Sequence, residues 1–388
     1  MASDTPKGRP IRSAIMTIVV NDPQAAEFGR AVSQFAQDIH LIDQPVDRQA
    51  WKRAGALGLT GLEIPAAFGG SAGATYAWNA AAVDALATVS HGLSSTFTIS
   101  FDIATPYLVD LGTPEIHQRW LPVLAQGEAI AALALTEPGA GSDLAALTTR
   151  AELKADHYLI TGSKTFITNG SIADVIVVAA RTSPQAGARG ISLFAVDANA
   201  AGLTRRRITT IGQSDCDTAE LFFDQVKVPL SHLLGTLDDG FLHLMERLPQ
   251  ERITSSIANL AQADVAMNLT LAQVRERQAF GRPLGSLQHN AFRLAELDAQ
   301  RSAVRAHVDA CIERLINRTM STADGARAKL LSARLENDIL DLGMQLHGGS
   351  SFLEGTEINQ RWIDGRITRI WAGADEIMLH LIAKDLGL

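Results

Sequence analysis

Thiols are scarce in this chain of 388 residues: Cys216 and Cys311 are the only two cysteines, too few for a disulfide framework or a structural zinc site, so a reducing compartment is expected. No apolar run reaches the ~20 residues that a membrane span needs. The opening residues, MASDTPKGRPIRSAIMTIVV, lack the apolar length and small-residue cleavage site of a secretory signal. A cytoplasmic protein without a membrane partner is the expectation. Cations are also in deficit, with 34 Lys and Arg against 42 Asp and Glu and a net charge of −8. Counterion release on a phosphate backbone needs the opposite balance, which argues against a nucleic-acid partner. What is present is 46% apolar and 20% charged residues, 31 Gly and 13 Pro, a mixture that excludes a fibre or a largely disordered chain. The length suggests two or three compact units.

The pattern changes twice along the chain. Early segments such as AAEFGRAVSQFAQDI and WNAAAVDALATVSHGL repeat Ala and Leu at helical spacing. From about Ala131 the runs DVIVVAAR, ISLFAVDA and AELFFDQVKVP are short, β-branched and bounded by turn residues; RTSPQAGARG between the first two reads as an exposed hairpin loop. After Gly240 the helical pattern returns in one long helix stopping at Gly281 and Pro283, followed by helices over about 288–318 and 321–346. The expected division is a helical domain at 1–130, a β domain at 131–238 and a helical domain at 239–388.

Leu135-Thr136-Glu137-Pro138-Gly139-Ala140-Gly141-Ser142-Asp143 offers hydroxyls and glycine-freed amides that can hold a flat heterocycle and its phosphates, or make a plain turn. It is not a dinucleotide fingerprint, because the third glycine and the strand-to-helix context are missing. GSKTFITNG, at residues 162–170, reads as a strand ending in an Asn-Gly turn, with Phe166 and Thr168 two apart and hence on one face. Arg277 and Arg282 flank Phe280 where a guanidinium can grip a diphosphate, or simply complement a helix end. His347 lacks a partner at metal-ligand spacing, so it reads as a packed imidazole and no metal is expected. Asp102 and His91 face either a substrate cavity or a solvated or subunit surface.

Taken in order, TEPGAGSD, GSKTFITNG, DTAELFFDQVKVP, RERQAFGRPLGSLQ and QLHGG resemble the acyl-CoA dehydrogenase family. WKRAGALGLTGLEIPAAFGG, residues 51–70, is similar to its N-terminal helix and P-x-x-F-G-G turn, and the resemblance runs from about Phe28 to the C-terminus. It implies an α+β fold: an N-terminal helical domain, a β-barrel-like middle domain and a C-terminal four-helix bundle, with FAD between the last two. The implied flavin contacts are Leu135, Thr136, Ser142, Phe166 (often Trp in the family), Ile167 and Thr168, together with Phe280 and Glu376. Arg277, Gln288, Gln345, Leu346, His347, Gly348 and Gly349 would complete the cofactor site of a second subunit in a homodimer or homotetramer. Ser142, Arg252, Ala372 and Gly373 would meet the acyl-CoA, and an electron-transfer flavoprotein would accept the electrons. The length disfavours the longer membrane-associated and oxidase branches.

Many members of that family carry a basic Glu in an aromatic-Glu-Gly-Thr stretch near the C-terminus. Here Ile370-Trp371-Ala372-Gly373-Ala374 puts Ala372 and Ala374 at the Glu and Thr positions, and a methyl group cannot accept a proton. In long-chain and isovaleryl-type members the base sits near the start of the long helix, a site matched by Leu248-Pro249-Gln250-Glu251-Arg252, with Phe280 29 residues after Glu251. With Pro249 as the first helical residue, Glu251 would stand at N3, where the helix dipole keeps it ionised and burial strengthens it as a base; acidic residues also occupy N3 for the dipole alone. Glu246 is a competitor. The implied reaction is α,β-dehydrogenation of an acyl-CoA to a trans-2-enoyl-CoA, with Glu251 removing the α-proton and hydride passing to flavin N5. Two other readings stay open: the same fold and FAD with desulfinase, monooxygenase or reductase chemistry, which Ala372 favours, or a catalytically idle binding protein.

Overall fold

The protein's structure, a computed structural model, describes residues 21–41, 44–71 and 73–388; the signal-peptide expectation for the first residues lies outside the described residues. Helix α1 (Pro23–Ile39) starts where Asp22 accepts from the Gln24 and Ala25 N–H groups with Pro23 at the first position. It is followed by α2 (Arg48–Ala56), α3 (Tyr76–Val89), α4 (His91–Thr98), α5 (Thr105–Leu111) and α6 (Pro114–Ala125). Alanine-rich α3 is buried on nearly every side, as suits a helix inside the protein. Gly29 permits the close approach of α1, since a Cβ there would stand 3.2 Å from that of Ala81. Between α4 and α5 the backbone widens into a π-helical stretch, Ile99–Ala104, a distortion common at functional sites.

Eight strands follow: β1 (Ala131–Ala134), β2 (Arg150–Leu153), β3 (His157–Thr168), β4 (Val175–Arg181), β5 (Ile191–Asp197), β6 (Leu203–Arg207), β7 (Thr218–Pro229) and β8 (Leu233–Leu234). They form one sheet in the order β6-β7-β3-β2-β4-β5-β8, with β1 parallel to β4. Strand β4 is buried along almost its whole length because both faces are covered. Ile176, Val178 and Ala180 point into the core of the sheet. Val175, Val177 and Ala179 point the other way, against α5 and α6. The β4–β5 connection is a loop between antiparallel neighbours, as its composition suggests. In β3 the register against β7 slips between Lys164 and Ile167, and Phe166 takes a left-handed φ of 57°. That bulge turns both Lys164 and Thr165 inward, then leaves Phe166 exposed, Ile167 buried and Thr168 half-buried.

The C-terminal third comprises α7 (Gly240–Glu276), the hairpin strands β9 (Gln278–Ala279) and β10 (Arg282–Pro283), α8 (Gln288–Ile316), α9 (Thr322–His347), α10 (Glu357–Gly365) and α11 (Asp375–Asp385). Helix α7 begins at Gly240, so Pro249 lies inside it. Glu251 is therefore an interior residue and not at N3, and no helix N-terminus acts on it; proline at a first turn is the commoner arrangement, which is why the sequence pattern misplaces the start. Helix α9 runs parallel to α7: a Cβ on Gly325 would lie 3.3 Å from the Pro249 carbonyl oxygen, and one on Gly343 would lie 2.8 Å from Thr270 Oγ1. One continuous apolar core joins α1, α3 and α4 to α7, α8 and α9, so the first and last thirds of the chain share an interior. Among the described residues no helix is long and apolar enough to cross a membrane.

Candidate active site

Two of the sequence motifs are locked together by a buried ion pair that sequence reasoning did not single out. Lys164 Nζ donates to Glu137 Oε1 at 2.8 Å and to the Leu135 carbonyl at 2.9 Å. The Thr165 N–H donates to the Thr136 carbonyl at 2.9 Å. Glu137 also accepts from the N–H groups of Thr148 and Thr149. Burial would raise the Glu137 carboxyl, but Lys164 and these hydrogen bonds hold it down at about 2; burial brings Lys164 to about 8. The clamp sets Leu135 and Thr136 beside the segment that carries Phe166, Ile167 and Thr168, and Ser142 is exposed farther along the same loop. Phe166 is 66% exposed, whereas Ile167 is 2% exposed and packs in the β core, leaving only its backbone for a ligand. A Cβ on Gly139 or Gly141 would meet nothing within 4 Å, so the loop faces open space. An outward ring beside an open glycine loop suits a flat aromatic ligand. The signal for the clamp was a Glu and a Lys inside otherwise apolar or turn-forming motifs.

The second group surrounds Glu251. Its Oε2 is buried and has no hydrogen-bond partner. Burial pushes its carboxyl up to about 7, with Arg252 pulling down and Asp102 adding to the rise. Arg252 is 4% exposed, and its Nε and Nη1 are likewise without partners. Asp102, carried inward by the π-helical stretch, accepts from Asn79 Nδ2 at 2.7 Å, Gln250 Nε2 at 3.1 Å, Tyr76 at 3.2 Å and Thr254. Asn79 also donates to Glu63 at 2.7 Å, and burial, then Asp102, lifts Glu63 to about 7. A cavity between α7 and the π-helical stretch is lined by Asp102, Ile103, Pro106, Tyr107, Arg247, Gln250 and Glu251. Glu246 is not among them; its side chain is 63% exposed beside His243.

The C-terminal turn forms the third group. Ala372 and Gly373 have left-handed φ values of 49° and 96°. The wholly buried Lys329 of α9 donates to the Gly373 carbonyl at 2.6 Å. Burial lowers Lys329 to about 8, and the charge of Arg252 lies near enough to contribute, which ties this turn to the Glu251 end of α7. Trp371 meets His91 edge-on at 5.6 Å between ring centres. His91 is buried with Nδ1 3.5 Å from Glu336 Oε1. Because Asn169, next to Thr168, donates to the Thr96 carbonyl, α4 links the loop of the first group to this turn. Glu376 is exposed in the first turn of α11, and its neighbour Asp375 is buried against Arg334 and Arg369.

The remaining sequence candidates gather at the opposite end of α7. Arg277 follows Glu251 by 26 residues of numbering, roughly 39 Å of helix at ~1.5 Å per residue. Phe280 and Gly281 occupy the tip of the β9–β10 hairpin with φ values of 53° and 77°, the pair of left-handed residues that a two-residue hairpin turn requires. Phe280 is 93% exposed. The parallel course of α9 brings Gln345, His347, Gly348 and Gly349 to this same end, where the exposed Gln288 opens α8 after the hairpin. His347 Nδ1 donates to the Gly343 carbonyl at 2.7 Å, and Leu346 packs in the helical core. No group of three or more potential metal ligands occurs among the described residues.

Three family profiles match the chain in succession: acyl-CoA dehydrogenase, N-terminal domain, over residues 24–128; middle domain over 132–226; and C-terminal domain over 238–387. The long-chain specific mitochondrial acyl-CoA dehydrogenase of Sus scrofa is 36% identical over 344 residues, covering 88% of this chain and 80% of that protein. Acryloyl-CoA reductase (NADH) of Anaerotignum propionicum is 31% identical over 363 residues, covering 91% of this chain and 92% of that one. The crystal structure of an acyl-CoA dehydrogenase from Geobacillus kaustophilus is similar with a TM-score of 0.91 at 38% identity, covering 94% of this chain and 98% of the other.

Proposed function

The chain belongs to the acyl-CoA dehydrogenase family, and we propose that it oxidises the Cα–Cβ bond of an acyl-CoA to a trans-2-enoyl-CoA with Glu251 as the base. The buried, unpartnered Glu251 Oε2 carries this reading. A carboxyl raised to about 7 is suited to take the α-proton near neutral pH. Ala372 has no acceptor to compete with it. Held in its turn through Lys329 and Gly373, the Ala372 N–H donates to the thioester oxygen as charge develops there. One such donor is typically worth about 3 kcal/mol. Arg252 stands beside the base to meet the thioester chain.

FAD is the cofactor of the family, and when bound it supplies the hydride acceptor. The open Leu135–Ser142 loop, Phe166 and Thr168 hold its ring system. Arg277, Phe280, Gln288 and Gln345–Gly349 lie too far along α7 to reach the same flavin and serve that of a second copy, as a homodimer or homotetramer. The almost fully exposed Phe280 ring supports a covered surface there. An electron-transfer flavoprotein receives the electrons.

Anaerobic titration of the FAD-loaded protein tests the reading: saturated acyl-CoA should bleach the oxidised flavin with release of enoyl-CoA, and Glu251→Gln should stop bleaching while retaining FAD. No bleaching at any chain length, or normal turnover by Glu251→Gln, defeats it. A second reading, enoyl-CoA reduction with Glu251 returning the proton to Cα, has support in Ala372 and in the 31% identity to acryloyl-CoA reductase. Faster steady-state turnover of enoyl-CoA with a reduced donor than of acyl-CoA with an oxidised acceptor would select it.

A further inference from the structure

The cavity against Glu251 is unlike a receptacle for a hydrocarbon tail. Of its lining residues only Ile103 and Pro106 are wholly apolar; Asp102, Tyr107, Arg247, Gln250 and Glu251 complete the wall. The Ala372–Gly373 turn, to which the reading above assigns the thioester oxygen, does not line it, so on that reading an acyl group with its α-carbon at Glu251 would direct its chain beyond the reacting carbons toward this space. Its free space is about 10 Å³, room for a single water-sized group.

Apart from Glu251 Oε2, assigned above to the α-proton, the charges around this space are already matched. Both Asp102 oxygens are occupied by donors from Asn79, Gln250, Tyr76 and Thr254. Arg247 is paired with Asp110 and contacts Gln250 Oε1 at 3.3 Å. Tyr107 is the unmatched group that the proposed proton transfer does not use. It is 1% exposed, and its hydroxyl has no hydrogen-bond partner. A buried hydroxyl left without a partner is costly, and the deficit is removed when a ligand atom supplies one. An added carboxylate would face Asp102 and Glu251, and an added ammonium would find the Asp102 lone pairs taken and would pair with Glu251, lowering the basicity that the proton transfer needs. An uncharged oxygen fits both the space and the charge.

Resting on the reading of Glu251 above, we propose that the acyl group of the substrate carries an uncharged oxygen substituent, a hydroxyl or carbonyl a few carbons past Cβ, that hydrogen-bonds to the Tyr107 hydroxyl. Tyr107 then selects the substrate by this one bond, and a plain alkyl chain of equal length leaves it unmet. A site built to hydrogen-bond an oxygen discriminates strongly against an analogue lacking it.

The test compares hexanoyl-CoA, 6-hydroxyhexanoyl-CoA, 5-oxohexanoyl-CoA and palmitoyl-CoA on the FAD-loaded protein, by rate of flavin bleaching and by calorimetric Kd of the corresponding enoyl-CoA products. At least one oxygenated substrate should exceed hexanoyl-CoA at least tenfold in kcat/KM, with product affinities in the same order, and palmitoyl-CoA should trail. Tyr107→Phe should bring the oxygenated-to-plain ratio to near one. Equal or better use of hexanoyl-CoA or palmitoyl-CoA overturns the proposal while leaving the dehydrogenase reading intact, as does an unchanged ratio in Tyr107→Phe. Absence of bleaching by all four, with no product binding, overturns both.

Discussion

The Glu137 carboxylate and the Lys164 ammonium meet at 2.8 Å where their side chains are almost wholly shielded from water. One comes from the loop after β1 and the other from the bulge of β3, so this pair fixes the relative position of the two segments that form the proposed flavin cradle.

Removing one partner leaves the other as an uncompensated buried charge, which typically costs 3–5 kcal/mol. Lys164→Met should therefore lower stability by about that amount and weaken FAD retention. The double variant Glu137→Gln/Lys164→Met should recover part of the loss. Urea unfolding monitored by circular dichroism, with flavin absorbance after gel filtration, checks both.

Glu251 should show its burial in two opposite pH trends. Since the deprotonated form accepts the α-proton, kcat/KM should rise as pH passes about 7, and Glu251→Gln should lower kcat by about 10²–10⁴-fold. For stability the sign reverses. A carboxyl whose folded pKa is raised from 4.5 to about 7 stabilises the fold fully below pH 4.5, and that contribution is lost as pH rises through about 7. The Tm of Glu251→Gln relative to the parent should thus increase between pH 5 and pH 8; a difference independent of pH would contradict the buried carboxyl.

Lys329 and Gly373 offer a separate lever on the oxyanion donor. Lys329→Met removes the bond that holds the left-handed Ala372–Gly373 turn, and kcat should fall about 10- to 100-fold, below the loss of a whole donor, with a smaller change in KM. Asp375 keeps Arg334 and Arg369, so the fold should persist. Stopped-flow flavin reduction measures the chemical step, and a pure KM effect would refute the positioning role.

At the far end of α7, Phe280→Asp should barely alter the stability of the single chain, within about 0.5 kcal/mol, because the ring has no packing to lose. It should nevertheless shift the protein toward smaller assemblies and reduce bound FAD. Sedimentation velocity with absorbance at the flavin band reads both changes; an unchanged assembly with full FAD would remove Phe280 from the interface.

Much of this architecture was legible in the chain because local chemistry and tertiary need agree. The dense β-branched run at 175–181 announced a strand, and the motif order with the Glu251-to-Phe280 spacing matched the family's helix that carries the proposed base. Pro249 misled because a proline at the first helical turn and a proline within a helix look alike without the packing around them. Asp102 stayed ambiguous because a π-helical stretch breaks the 3.6-residue period by which an inward face is recognised.

The sequence by itself determined the succession of helical, β and helical regions and the lack of a carboxylate at residue 372, since each depends on residue type and order, and through its resemblance to the family it pointed to Glu251 as the proposed base. Only the tertiary structure decided that Glu137 answers Lys164, that Lys329 holds Gly373, and that Tyr107 is left with an unmet hydroxyl beside Glu251. Those relationships join residues tens to hundreds of positions apart, and burial, which governs how strongly buried charges and hydrogen bonds interact, is a property of the packed chain and not of any one segment.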